Sequence, residues 1–277
     1  MTVKVSANST LSTLMSNLRK SSAGEAKALS QLSSGKRIES ASDDSAGLAH
    51  VKKLDAFIRS QKQATRNAND GISFVQTAEG GLNEVSNILV RLRELSIQAG
   101  SDTVGEKERG FLNKEYQNLK TEIDRIAEAT SFNGTNVING EGRGVLRFQV
   151  GAFAGDENVI EFDSENHHTS ASDLGLNGLG VEGKSDALDA IEAVDEALTK
   201  VSGQRAYLGS IQSRMQYAMG NLEVNRINHE ETRSKIEDVD VAEASARLVK
   251  ESMLREIGVR SLAKGMDFSK AALKLIG

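Results

Sequence analysis

The chain has 277 residues, of which 38% are hydrophobic and 26% charged, with a net charge of −5 and no cysteine. That length suffices for a core, and no apolar run approaches a membrane span. The acidic balance leaves no overall footprint for nucleic acid, and disulfide and thiolate chemistry are excluded.

The first stretch, MTVKVSANSTLSTL, lacks a basic segment followed by an apolar block. A general secretory signal is therefore not expected, which alone suggests a cytoplasmic protein. Residues 7–32 space Ala7, Leu11, Leu14, Leu18, Ala28 and Leu32 as a narrow stripe, diluted by Ser21 and Glu25. This predicts a weak amphipathic helix.

Residues 32–49, LSSGKRIESASDDSAGLA, separate that helix from a longer one. Ser33, Ser34 and Gly35 break the first pattern, and Ser42, Asp43 and Asp44 are candidate N-caps for the next. Paired aspartates could bind a metal, but no His or third carboxylate lies beside them, so capping is the better reading.

Residues 44–100 carry the strongest stripe: Ala68, Ile72, Val75, Leu82, Val85, Leu89, Leu92, Leu95 and Ala99. Gly71, Gly80 and Gly81 interrupt it, so a bend or close contact near 80 is expected. Proline, absent from the chain, breaks neither this helix nor the others. Gly100 and Gly105 bracket a turn, and Leu112, Tyr116, Leu119, Ile123 and Ile126 predict a returning helix over 105–130.

Residues 131–183 change character. Asn133-Gly134, Asn139-Gly140 and Asn177-Gly178 mark turns, and alternation over 145–150 and 158–162 predicts a hairpin. Helix returns at 184, with Ala187, Ile191, Val194, Leu198, Val201, Leu208, Ile211, Met215, Ala218 and Leu222 on one face. A break near 232–240 precedes a last weak helix over 241–276. The expected fold is mainly α: a long antiparallel coiled-coil helical bundle, its N- and C-terminal helices paired, with a small central β-hairpin region.

Charge is uneven. Residues 1–42 hold six Lys/Arg against two Glu, and residues 242–277 hold seven against four acidic groups. Solvated faces of amphipathic helices account for this better than tails for an anionic surface.

Tests for chemistry are negative. His167-His168, near Glu161, Asp163 and Glu165, lies in a predicted turn and lacks helical ligand spacing. His229-Glu230 starts like a zincin helix, but Arg233 stands where the second His would be. There is no phosphate loop or nucleophile elbow. No enzyme, cofactor, metal, nucleic acid or membrane is expected.

The 32–49 stretch resembles the N-terminal signature of bacterial flagellins. So do RNANDGISFVQTAEGGLNEV at 66–85, LVRLRELSIQAG at 89–100, RIAEATSFNGTNVINGEG at 125–142 and RAYLGSIQSRMQYAMGNL at 205–222. SKIEDVDVAEA at 234–244 and the closing ALKLIG continue the match. The resemblance implies a secreted, extracellular subunit that leaves uncleaved through a dedicated channel and polymerises into the flagellar filament for swimming.

It further implies an inner-tube pair of 1–42 with 242–277, packed by Leu11, Leu14, Leu18, Leu262, Leu273, Leu275 and Ile276. Residues 43–241 would be the outer-tube domain, with a β region at about 137–183. Implied partners are other copies of the chain, the export machinery and a flagellin chaperone, and the filament cap and junction proteins. The host innate immune receptor for flagellin is a further one, with Arg91, Leu95 and Glu115 at the matching positions. A hook–filament junction protein, or a secreted coiled-coil adhesin or effector, is the alternative.

Overall fold

The structure, a computed structural model, describes residues 3–140, 144–164 and 168–276, with side-chain environments from Leu11 to Asp267. Five long helices dominate it: α1 (Val3–Ser34), α2 (Ser45–Ala99), α3 (Glu106–Ala129), α4 (Lys184–Glu237) and α5 (Val241–Ile276). Between α3 and α4 lie two antiparallel hairpins. One pairs β1 (Ser131–Phe132) with β2 (Thr135–Asn136), and the other pairs β3 (Val145–Gln149) with β4 (Val159–Asp163). The chain divides into two compact units, residues 1–56 with 227–277, and residues 57–226.

Local chemistry sets the helix ends. Gly35 has φ +73 and its N–H donates to the Gln31 carbonyl, closing α1. Of the three candidate caps for α2, Asp44 fills the role: its Oδ1 accepts the Gly47 N–H at 2.9 Å. Asp43 holds the turn instead, accepting the Ser40 N–H and pairing with Lys27 at 2.7 Å. The Lys27 ammonium, then the Ser40 and Glu39 amides, pull its carboxyl down to about 2. Asp240 caps α5 through the amides of Ala242 and Glu243.

The unit of residues 57–226 has a continuous core. The stripes of α2, α3 and α4 meet there, with Leu82, Leu89, Leu92, Tyr116, Ile123, Val194, Leu208 and Ile211 essentially without solvent contact. Phe74 is an aromatic hub whose ring centroid lies 5.8 Å from Phe132, 5.6 Å from Phe148 and 5.2 Å from Phe162. That packs both hairpins onto α2. The helix runs unbroken through its glycines to Ala99. Gly81 instead permits close approach: a Cβ there would lie 2.7 Å from Thr130 Oγ1 and 2.9 Å from Ile138 Cδ1.

The segment between β4 and α4 is irregular yet buried. Ala171, Leu174, Leu176 and Val181 fill the core. Side chains of α3 and α4 satisfy its backbone. Asp124 accepts the Ala171 N–H, Asn113 accepts the Val181 N–H, and Lys120 donates to the Leu179 carbonyl. Gln204 donates to the His168 carbonyl. His168 forms a backbone bridge with Asn139, while His167 and Glu165 lie outside the described residues.

Candidate assembly surfaces

Unlike the body, the pair formed by α1 and α5 is thinly apolar. The helices run antiparallel, with Glu251, Gly258 and Gly265 of α5, at intervals of seven, set against Gly24, Leu18 and Leu11 of α1. Glycine at two of these positions lets the backbones approach. A Cβ at Gly258 would lie 3.3 Å from Leu18 Cδ1, and one at Gly265 would lie 3.6 Å from Leu11 Cδ1. Toward the other end Arg255 pairs with Glu25 at 2.7 Å. Leu11, Leu14, Leu18 and Leu262 are therefore half-buried rather than sealed. The side chains of Leu273, Leu275 and Ile276 lie outside the described residues.

Most larger apolar side chains of α5 lie elsewhere. Val249, Met253 and Ile257 are 52%, 59% and 61% exposed, and Leu254 is 44% exposed. With Ala246 they line an apolar strip recurring at three and four residues. Isolated exposed apolar residues are ordinary, whereas a contiguous strip marks an interaction surface.

A polar strap closes this unit beside the pair. The Arg37 N–H donates to the Glu237 carbonyl at 2.6 Å, and Val239 N–H to the Gly35 carbonyl at 3.0 Å. Lys36 Nζ sits 2.6 Å from the Glu237 carboxylate. Its ammonium is held above the usual range by that hydrogen bond and charge. Arg233 joins Asp55 at 2.8 Å. Lys36 and Arg233, the latter at 3.8 Å, thus share one acidic anchor, Glu237, which periodicity does not reveal.

On the body, Arg91 and Glu115 are surface residues and form an ion pair. Leu95 differs: it is 1% exposed and packed in the core, so it has no surface to offer a partner. The helical stripe containing it already specifies burial, and the neighbouring α2 residues Arg91 and Glu94 carry the exposed face. Among the described residues, no group of three or more His, Asp or Glu is arranged to hold a metal, and no helix is long and apolar enough to cross a membrane.

A well-filled helical body, joined in sequence to a thin helical pair with its apolar residues outward, defines a self-associating structural protein. Comparison with known proteins makes this specific. The bacterial flagellin N-terminal helical region matches residues 5–142, and the bacterial flagellin C-terminal helical region matches residues 191–276. A flagellin of Halalkalibacterium halodurans is 39% identical over 90% of this chain and 91% of its own length. Flagellar filament core protein flaB2 of Brachyspira hyodysenteriae is 35% identical over the same shares, 90% and 91%. The crystal structure of Bacillus cereus flagellin superposes with a TM-score of 0.50 at 28% identity, over 57% of this chain and 88% of that one. The chain belongs to the bacterial flagellin family. It is a structural subunit of the flagellar filament, an extracellular polymer that serves motility.

Proposed function

We propose that the chain assembles by heterologous helical association, one surface binding a different surface of the next copy so that the polymer stays open. In this reading residues 1–42 and 242–277 form the inner tube around a central channel. Residues 43–241 form the outer-tube domain, with the short β region of 137–183 inside it. The observation that carries the reading is the strip of Val249, Met253, Leu254 and Ile257, exposed on α5. Burying one such side chain contributes roughly 1.5–3 kcal/mol, and in a lattice the gain recurs at every subunit.

The thin α1–α5 contact belongs to the same mechanism. A pair held by half-buried leucines and the Arg255–Glu25 ion pair orders weakly in the free subunit and fully once neighbours cover it. Export machinery and a flagellin chaperone act before that step, and cap and junction proteins during it. The host receptor for flagellin meets the free subunit at the surface of Arg91 and Glu115. The chain performs no chemistry of its own in this scheme.

Val249→Asp and Ile257→Asp test the reading. Each variant is added to filament seeds and growth is followed by electron microscopy. The expected result is unchanged helicity by circular dichroism with growth abolished. Growth at the parent rate would contradict the proposal.

A further inference from the structure

The methionines divide between the two compact units. Met215 is fully buried and Met219 packs against the core of the body. Met15, Met253 and Met266, all on the α1–α5 pair, are 46%, 59% and 47% exposed. Met253 is the most exposed of them and stands in the middle of the apolar strip, flanked by Val249 and Ile257 one helical turn away on either side. A thioether oxidises according to its access to solvent, and the product is polar and disrupts apolar interfaces. One side chain therefore combines solvent access in the free subunit with a central position on the surface that assembly would cover.

We propose that Met253 is an oxidation site that separates free subunits from assembled ones: a two-electron oxidant such as hydrogen peroxide converts it to the sulfoxide and blocks incorporation. In the reaction the sulfur lone pair attacks one peroxide oxygen and the O–O bond breaks. Sulfur gains that oxygen and is oxidised by two electrons, and the second oxygen leaves as water after taking up the proton. The sulfoxide dipole then needs hydrogen-bond partners that an apolar contact between copies does not supply. Inside a filament the same sulfur is covered and reacts slowly. The inference rests on the assembly reading above, in which this strip of α5 packs against neighbouring copies.

The test uses the full chain and hydrogen peroxide. Trypsin cleaves after Lys250 and Arg255, so Met253 reports in peptide 251–255, while Met215 and Met219 report in peptide 215–226. In the free subunit, peptide 251–255 should gain one oxygen well before peptide 215–226. In filaments given the same dose it should stay unmodified. A Met15→Leu/Met266→Leu double variant isolates the effect of Met253. Its oxidised form should lengthen seeds about tenfold more slowly or not at all, and a methionine sulfoxide reductase should restore growth. Met253→Leu, which conserves volume, should keep growing after oxidation. Equal growth of the oxidised and unoxidised double variant would overturn the proposal, as would equal oxidation of peptide 251–255 in filament and free subunit. Failure of the unoxidised parent to lengthen seeds would instead remove the assembly reading, and this inference with it.

Discussion

Arg91 on α2 and Glu115 on α3 are joined by two hydrogen bonds, with Nε at 3.0 Å and Nη2 at 2.8 Å from the same carboxylate oxygen, Oε1. Arg91 Nη1 also donates to Glu94 Oε2 at 3.0 Å. The guanidinium is held above its usual pKa by Glu115 first and Glu94 second. All three side chains are about half exposed, so solvent screens the network, and pairs of this kind stabilise by about 0–1 kcal/mol. Its main consequence is presentation: one cation and two anions are fixed on the surface of two packed helices.

Arg91→Ala should therefore separate recognition from folding. Stability should change by less than about 0.5 kcal/mol. Affinity of the free subunit for the flagellin receptor should fall by about 2 kcal/mol or more, roughly thirtyfold, as for an arginine at the centre of an interface. Binding by surface plasmon resonance, beside a urea unfolding curve, reads both. Parent-level affinity would remove Arg91 from the recognition surface.

Tyr116 makes a second test, of the body. Its ring is buried and its hydroxyl has no hydrogen-bond partner. Burial pushes the phenol from 10.0 up to about 12. Because the folded value lies above the unfolded one, this group's contribution is complete below about pH 10 and is lost as pH rises toward 12. Tyr116→Phe removes both the orphan hydroxyl and the alkaline loss. It should stabilise the body by about 1 kcal/mol near neutral pH, with a larger advantage at about pH 11. Chemical denaturation of both proteins at the two pH values measures this; a less stable Phe variant would show that the hydroxyl is satisfied.

Glu237 tests the strap. Its carboxylate is 10% exposed and pairs with Lys36 at 2.6 Å, while its carbonyl accepts the Arg37 N–H. Glu237→Ala leaves the backbone bond but removes the charge that holds Lys36. Trypsin should then cleave after Lys36 or Arg37 roughly tenfold faster, equivalent to about 1.4 kcal/mol of local stability. Time-resolved digestion with mass analysis of the fragments gives the rates, and an unchanged rate would assign the strap to its backbone bonds alone.

Much of this was readable from spacing. The α2 stripe, a cap among Ser42, Asp43 and Asp44, and the Gly35 stop follow from helical period and terminal chemistry, so α2 and the end of α1 fall where expected; which of the three caps α2 is set by the structure alone. The hairpin of β3 and β4 follows from alternation. The buried segment around Leu174, Leu176 and Val181 does not, because its apolar residues have no period and are fixed by hydrogen bonds from distant Asn113, Lys120 and Asp124. Nor does spacing single out Gly258 and Gly265, where α5 meets Leu18 and Leu11 of α1. Leu95 shows the opposite case: its stripe already placed it in the core, where the structure has it.

The most direct test of the central claim is deletion of Leu262 to Gly277. Leu262, Leu273, Leu275 and Ile276 are lost with it, while the core of residues 57–226 is untouched. Losing even two such side chains from a subunit contact, at roughly 1.5–3 kcal/mol each, shifts the equilibrium by about two to four orders of magnitude. The truncated protein, mixed with filament seeds and viewed by electron microscopy, should keep the helicity of its body and fail to lengthen the seeds. Filaments growing at the parent rate from this protein would contradict the inner-tube role of the α1–α5 pair.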